Sequence, residues 1–218
     1  MTDSSATTPG ATIDRKKWIL FLIVATLSLA ADQATKIWAR DSLPTFRGDR
    51  SGALCIVPDD MMSPGDDRPP ACHGQAVTVI DGFWKWRLSM NPGSAFGLFS
   101  SQTGARIGLS VVGVIAVFGM LWMLRKARRD QVILHWALAF VAGGAVGNLI
   151  DRIYYGVVTD FVLWHVKTHE WPVFNVADIV LVIGVFLMFI DIQKEGRREK
   201  ELKAAQQTKA RASGLVKL

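Results

Sequence analysis

The chain has 218 residues, half of them hydrophobic, and a positive mean hydropathy, which together are unusual for a soluble domain and favour segments that face lipid. Its net charge of +6 does not indicate nucleic-acid binding, because the basic residues border apolar runs and are not interleaved with aromatics on one soluble face.

The chain begins with a polar segment, residues 1–17, which is rich in Ser and Thr, ends in a basic cluster and predicts a disordered cytoplasmic tail. The apolar run 18–31 follows it. This run spans a bilayer only if it continues to about Trp38 and so includes Asp32 and Lys36. A basic segment before a short apolar run is also typical of a cleavable signal peptide, so the run alone leaves both interpretations open.

Three later apolar runs have the length that a membrane-spanning helix needs. They cover Ile107–Leu124, Ile133–Ile150 and Val176–Ile192. With the first run, they predict an α-helical polytopic membrane protein with four transmembrane helices, whose membrane domain covers residues 18–193.

Lysine and arginine residues cluster before the first run, between the second and third, and after the fourth. The positive-inside rule then predicts that both termini are cytoplasmic. The loops at about 40–106 and 151–175 lie together on the other side of the membrane. The basic segment 194–218 is predicted to be a cytoplasmic tail, either a solvated helix or disordered.

The first outer loop contains an alternating segment at residues 76–90, which predicts short strands near the membrane surface. Trp84 and Trp86 fit an interfacial aromatic belt. Cys55 and Cys72 are the two cysteines of the chain, too few for a disulfide framework or a zinc ribbon. A disulfide between them and two free thiols both remain open.

Ionisable side chains in or beside a membrane span need a partner or a function. The candidates are Asp32, Asp151, Asp160 and Asp178. Lys36 follows Asp32 by four residues, so an ion pair on one helix face explains both. Arg152 directly follows Asp151, and a pairing role is favoured there too.

Asp160 and Asp178 have no cation within four positions. The topology places Asp160 in a short outer loop and Asp178 in the first turn of the fourth span. If they share one site, repulsion raises one pKa, and a single proton remains on the pair at neutral pH. Such a pair can activate water, bind the developing oxyanion and protonate a leaving amine, which is the chemistry of aspartic proteolysis.

Both aspartates also have structural interpretations. Asp178 suits the first turn of a helix with Asn175 as the N-cap, and Asp160 suits a solvated loop. Two other functional hypotheses are a small proton-coupled transporter or channel that uses intramembrane aspartates and a noncatalytic membrane scaffold. The sequence predicts no metal site, because it has no H-E-x-x-H motif and its histidines lack metal-ligand spacing on one helix.

Five segments, in this order, resemble the bacterial lipoprotein signal peptidase (signal peptidase II) family. They are DQATK at Asp32–Lys36, NPGSAFG at Asn91–Gly97, GGAVGNLIDR at Gly143–Arg152, GVVTDF at Gly156–Phe161 and FNVAD at Phe174–Asp178. The resemblance covers about residues 18–192. It implies an inner-membrane aspartic endopeptidase, with its active site near the periplasmic face, that removes the signal peptide of a prolipoprotein before the diacylglyceryl-modified cysteine.

The resemblance also implies the residues of the site. Asp160 and Asp178 match the catalytic aspartates of the family. The residues implied to bind substrate or brace the site are Asn148, Asp151, Arg152, Asn175, Asn91, Gly93, Phe96, Asp32 and Lys36. The partners implied are lipid-modified prolipoproteins and membrane lipid. We expect a monomer with no cofactor, no metal and no nucleic-acid partner.

The family also implies a small extracytoplasmic β-cradle around Val77–Phe99 and a short periplasmic half-helix within Phe161–Val173. Phe96 is expected to help order a loop over a lateral substrate groove or to act as an interfacial anchor. The first outer loop departs from the family, because residues 47–75 look longer and richer in Pro and Asp than its pattern.

Overall fold

Four long helices form the frame of the protein. The computed structural model describes residues 15–44, 72–91, 93, 102–212 and 214. Within these residues the helices are α1 (Arg15–Ser42), α2 (Gln102–Lys126), α3 (Val132–Tyr154) and α4 (Val176–Ala212). Each contains a stretch that is long and apolar enough to cross a membrane, which confirms the four predicted spans and the polytopic helical fold.

Two of the helices are longer than the apolar runs that predict them. α1 continues without a break through Asp32 and Lys36, so the first run is a full-length helix of the bundle. α4 continues past Ile192, and the basic segment after it is helical up to Ala212. The prediction of a disordered tail over residues 1–17 is wrong for Arg15–Lys17, which belong to α1. Residues 1–14 lie outside the described residues.

α3 packs against the other three helices and carries small residues where two of them approach it. A Cβ atom added to Gly143 would lie 2.8 Å from the backbone oxygen of Ala25 in α1. One added to Gly144 would lie 2.6 Å from the backbone oxygen of Ala177 in α4. Because these positions lack side chains, the helix backbones pack as closely as small-residue motifs allow in membranes.

The two ends of the bundle differ in what closes them. At one end, which we call the basic end, Lys17 Nζ donates hydrogen bonds to the backbone oxygens of Arg125, over 3.2 Å, and Ala127, over 2.7 Å. An apolar cluster beside it joins α1, α2 and α3 through Phe21, Val24, Met120, Leu124 and Leu138. At the other end, which we call the sheet end, α1 and α3 finish and α2 and α4 begin.

A small antiparallel sheet packs against the sheet end. Its strands are β1 (Cys72–His73), β2 (Val77–Ile80), β3 (Trp84–Asn91), β4 (Val158–Val166) and β5 (His169–Glu170). β3 pairs with β1 and β2 on one side and with β4 on the other, and β5 pairs with β4. Apolar side chains of β3 and β4, including Leu88 and Phe161, pack against Ala39 and Leu43 at the end of α1.

Two sequence predictions for this region are wrong. Asp160 lies within β4 opposite Ser89 of β3 and not in a loop. The half-helix expected within Phe161–Val173 is also absent, because this segment completes β4, turns at Lys167 with φ 55° and forms β5. β4 is rich in β-branched and aromatic residues, which suit a strand, and β3 supplies its hydrogen-bond partners. The predicted β-cradle is confirmed in β2 and β3, while its residues 94–99 lie outside the described residues.

Candidate active site

Asn175 connects the two candidate aspartates at the sheet end of the bundle. Asp160 is carried by β4, and Asp178 lies in the first turn of α4. Nδ2 of Asn175 donates a hydrogen bond to Oδ1 of Asp160 over 2.7 Å, and its backbone N–H donates to Oδ2 of Asp178 over 3.1 Å. The fold therefore brings both carboxylates to one site.

Asn175 and Asp178 also cap the start of α4. The backbone N–H of Asp178 donates to Oδ1 of Asn175 over 3.0 Å, while the backbone N–H of Asn175 donates to Oδ2 of Asp178. These reciprocal bonds satisfy two amide donors that have no partner inside the helix, as in a capping box. The prediction of Asn175 as the N-cap is confirmed, and the cap fixes the Asp178 carboxylate in position.

Two further asparagines donate to the same carboxylates. Nδ2 of Asn148 lies 3.0 Å from Oδ1 of Asp178, and Nδ2 of Asn91 lies 3.0 Å from Oδ2 of Asp160. Oδ1 of Asn91 in turn accepts the backbone N–H of Gly93 over 2.8 Å. Gly93 has a φ of +85°, and a Cβ atom there would overlap a side chain of α2. This turn therefore requires glycine.

A buried ion cluster lies beside the asparagines. Lys36 Nζ is 2.9 Å from Oδ2 of Asp32 and 3.4 Å from Oδ2 of Asp151, and all three side chains are inaccessible to solvent. Lys36 also donates to Oδ1 of Asn148 over 2.8 Å. Oδ1 of Asp32 accepts the backbone N–H of Ala177 over 2.9 Å and so anchors the first turn of α4 to α1. The predicted Asp32–Lys36 pair is confirmed, and its charges are compensated as burial requires.

The predicted pairing role of Asp151 is confirmed, but the adjacent Arg152 is not its ion-pair partner. Among the described residues, the ion-pair partners of Asp151 are Lys36 and Arg40, the latter with Nη1 3.6 Å from Oδ1. Consecutive residues on a helix point in different directions. Asp151 therefore faces α1, while the neighbouring Arg152 faces elsewhere.

Arg152 lies near the two candidate catalytic aspartates. Its Nη1 donates to the backbone oxygen of Asn148 over 3.3 Å. Its guanidinium interacts electrostatically with Asp178 and Asp160. A positive charge therefore neighbours this pair, although neither aspartate has a cation close by in the sequence.

The environment of Asp160 favours its protonated form. Burial, followed by the nearby Asp178 carboxylate, raises the pKa of Asp160 from 3.8 to about 7. Hydrogen bonds from Asn91 and Asn175 and the charge of Lys36 act in the opposite direction but are weaker. Asp160 is therefore suited to hold the single proton of the pair at neutral pH.

Two residues of the site are missed by the sequence predictions. Arg40 donates from Nη1 to the hydroxyl oxygen of Thr159 over 2.8 Å, and Thr159 directly precedes Asp160. Arg40 could have been found, because it follows Lys36 by the same four-residue step that separates Lys36 from Asp32. Thr159 gives no comparable signal, since only the fold brings it to α1.

Some predictions concern residues that the structure does not describe. Phe96 and Cys55 lie outside the described ranges, so the loop over the groove stays a prediction, and both a Cys55–Cys72 disulfide and two free thiols stay open. Among the residues that are described, no group of three His, Cys, Asp or Glu side chains could hold a metal ion.

Comparisons of sequence identify the relatives of this chain. The family model described as Signal peptidase (SPase) II matches residues 24–194. The lipoprotein signal peptidase of Xylella fastidiosa (strain 9a5c) is 34% identical over 169 residues, which are 76% of this chain and 83% of the relative. That of Xanthomonas euvesicatoria pv. vesicatoria (strain 85-10) is 32% identical over 189 residues, which are 83% of this chain and 91% of the relative.

Solved structures share the fold. A bacterial membrane enzyme determined by the in meso method aligns with a TM-score of 0.61 and 23% identity, covering 87% of this chain and 94% of that one. A second such structure aligns with a TM-score of 0.56 and 22% identity, covering 83% and 94%. With the family model spanning all four helices and the two relatives covering most of the chain, this protein belongs to the lipoprotein signal peptidase (signal peptidase II) family.

Proposed function

We propose that this protein is an aspartic endopeptidase of the bacterial inner membrane that removes signal peptides from prolipoproteins just before the diacylglyceryl-modified cysteine. Membership of the family supports the cleavage of prolipoprotein signal peptides. The observation that most strongly supports the aspartic mechanism is that Asn175 donates hydrogen bonds to both carboxylates, those of Asp160 and Asp178.

The two aspartates differ in the charge that their surroundings favour. Asp160 is 2% exposed, and burial together with Asp178 raises its pKa to about 7, which supports a protonated acid. Asp178 lies at the positive end of the α4 dipole and accepts bonds from Asn148 and Asn175, which suits a carboxylate that carries negative charge. The pair then combines one acid with one base.

In the proposed reaction, Asp178 takes a proton from water while the water oxygen bonds to the scissile carbonyl carbon. The proton on Asp160 hydrogen-bonds the developing oxyanion and then passes to the leaving nitrogen as the C–N bond breaks. The products are a carboxylic acid and an amine. The proton that Asp178 has gained returns the pair to its singly protonated state.

The other residues of the site hold the pair in place. We propose this bracing or substrate-binding role for Asn148, Asp151, Arg152, Asn175, Asn91, Gly93, Asp32 and Lys36. For Phe96 we propose the ordering of a loop over the substrate groove. Since Asp160 is held from β3 and Asp178 from α3, loss of one contact is expected to disturb one aspartate more than the other.

The proposed arrangement in the membrane follows from the charge distribution. The basic end carries the lysine and arginine clusters, so we propose that it and both termini are cytoplasmic and that the sheet end faces the periplasm. We propose that residues 18–193 form the peptidase domain and that residues 1–17 and 194–218 are cytoplasmic, with Arg15–Lys17 belonging to α1 and the segment up to Ala212 belonging to α4. Large apolar side chains of α2 such as Phe118 and Trp122 are exposed, which suits contact with the lipid through which a lipidated substrate arrives. We propose a monomer without a cofactor.

Cleavage of a defined precursor tests the proposal. The purified protein in phospholipid vesicles is given a diacylglyceryl-modified prolipoprotein, with the same precursor lacking the lipid as the matched control. We expect a mature product that begins at the lipidated cysteine, identified by mass spectrometry, and little cleavage of the control. A cut elsewhere, or equal cleavage of both precursors, contradicts the proposed specificity.

The same vesicles test the alternative of a proton-coupled transporter or channel. A pH-sensitive dye inside them reports proton movement under an imposed pH gradient. The peptidase proposal expects no flux beyond that of protein-free vesicles. Flux that requires Asp160 and Asp178, in a protein that leaves the precursor intact, favours the transporter.

A further inference from the structure

Arg40 lies in the last turn of α1 and joins three elements around the site. Its side chain is only 12% exposed. Its Nη1 atom donates a hydrogen bond to the hydroxyl oxygen of Thr159 in β4 over 2.8 Å. The guanidinium carbon lies 4.3 Å from the ring centre of Tyr155, which follows α3 and supplies a cation–π contact.

Arg40 and Asp151 together bind Thr159, one through its side chain and the other through its backbone. Asp151 Oδ2 accepts the backbone N–H of Thr159 over 2.8 Å, while Arg40 holds the Thr159 side chain. Asp151 Oδ1 has no hydrogen-bond partner among the described residues. Its charge is balanced by Nη1 of Arg40, which lies 3.6 Å away. The backbone and side chain of Thr159 are thus fixed to α3 and α1.

Thr159 is the residue immediately before Asp160, and both pair with β3, opposite Met90 and Ser89. A shift of Thr159 therefore moves Asp160 relative to Asn91 and Asn175, whose side-chain amides donate to its carboxylate. We infer that Arg40 is a positioning residue that holds the strand carrying Asp160 in the register its reaction requires, an inference that rests on the proposed function.

The charge of Arg40 also affects the rest of the ion cluster. Asp151 is shared between Arg40 and Lys36, and Lys36 simultaneously binds Asp32 and Asn148. Without Arg40, the Asp151 carboxylate is expected to attract the Lys36 ammonium group more strongly. The hold of Lys36 on Asn148, which donates to Asp178, then weakens as well.

Kinetics of Arg40→Gln in lipid vesicles test this role, with Arg40→Lys as the conservative variant. Arg87→Gln is the matched control, because Arg87 is also a partly buried arginine in an ion pair, but its partner is the half-exposed Glu170 of β5 and not Asp151 or Thr159. We expect Arg40→Gln to lower kcat roughly tenfold, the size of one lost hydrogen bond to a charged group, with little change in KM. Arg40→Lys recovers part of kcat, and Arg87→Gln matches the parent.

The pH profile separates positioning from a general loss of folded protein. Asp160 is faced by Asp178 of α4, Lys36 of α1 and Arg152 of α3. The hydrogen bonds from Asn91 and Asn175 lower its pKa, so loosening them in Arg40→Gln shifts the alkaline limb of kcat/KM to higher pH. An unshifted limb with activity reduced only in proportion to folded protein, or an unchanged kcat, overturns the inference.

Two further variants keep the outcome unambiguous. If Arg40→Gln does not fold, Thr159→Val removes the acceptor hydroxyl but keeps the charge of Arg40, and the same upward shift of the alkaline limb is expected. Its absence overturns the inference. Asp160→Asn is assayed in parallel: normal cleavage by this variant refutes the proposed function itself, whereas an inactive Asp160→Asn beside a fully active Arg40→Gln refutes only the role of Arg40.

Discussion

The side-chain amide of Asn148 links Lys36 to Asp178 through two hydrogen bonds. Its Nζ donates to Oδ1 of Asn148 over 2.8 Å, and Nδ2 of the same side chain donates to Oδ1 of Asp178 over 3.0 Å. The ammonium group fixes which side of the amide is the acceptor and so directs its donor toward the carboxylate. The buried ammonium group of Lys36 in α1 thereby helps to orient the Asp178 carboxylate of α4, which it does not contact.

We expect Lys36→Met to destabilise the protein strongly. The substitution leaves Asp32 and Asp151 buried with one cation fewer, and breaking a buried ion pair costs about 3–5 kcal/mol of unfolding free energy. Lys203→Met is the matched control, because Lys203 also follows an acid by four residues but is exposed, with Nζ 3.9 Å from Glu199. Thermal unfolding in detergent measures both, and equal midpoints for the two variants contradict the account of the cluster.

Asn175→Ser separates the helix cap from the contact with Asp160. Serine caps a helix about as well as asparagine, so the change at the cap itself should alter the unfolding free energy by less than about 1 kcal/mol. It lacks the amide that donates to Asp160, and we expect kcat to fall by roughly tenfold or more, as for a lost hydrogen bond to a charged group. A variant with normal kcat would contradict the proposed role of the Asn175 amide in holding Asp160.

Activity should fall as the pH rises above neutral, because the proposed mechanism requires a proton on Asp160. Burial, and then the Asp178 carboxylate, raise its pKa from 3.8 to about 7. Below this pH Asp160 is protonated and can act as the acid. As the pH rises through it, the proton is lost, and kcat/KM should decrease about tenfold per pH unit. A profile that stays flat or rises between about pH 7 and about pH 9 contradicts this assignment.

Gly147→Ala should disturb the ion cluster by overpacking. A Cβ atom at this position would overlap Oδ2 of Asp32, the oxygen that pairs with Lys36, and overpacking of this kind costs about 1–3 kcal/mol. Gly119→Ala is the control within α2, since its Cβ meets nothing within 4 Å, and alanine there should stabilise by about 0.5–1 kcal/mol. Thermal midpoints of opposite sign support this account, and an unchanged Gly147→Ala variant argues against it.

The sequence predicts those parts of the fold and site that depend on local spacing. The four helices follow from apolar runs, the Asp32–Lys36 pair from a four-residue step, and the Asn175 cap from its place before a helix. In each case, the interacting residues lie within one helix or at its end.

The sequence does not reveal contacts that only the packing of distant segments creates. Arg40 and Thr159 are 119 positions apart, and Asp151 finds its cations on α1 and not at the next residue. β4 looks like a connecting loop in sequence because its partner strand β3 lies far away in the chain. The β-branched and aromatic residues of β4 favour a strand, but a strand also needs a hydrogen-bond partner, and the sequence does not identify β3 as that partner.

The most direct test of the account is cleavage of a lipidated prolipoprotein by Asp160→Asn and Asp178→Asn in vesicles. Asp191→Asn is the matched control, because Asp191 is also a buried aspartate of α4 but lies at the basic end, where Gln131 donates to it. We expect both site variants to fold and to lose activity roughly 10²- to 10⁴-fold, the usual contribution of acid–base catalysis. Asp191→Asn should cleave like the parent. Normal processing by either Asp160→Asn or Asp178→Asn contradicts the proposed aspartate pair.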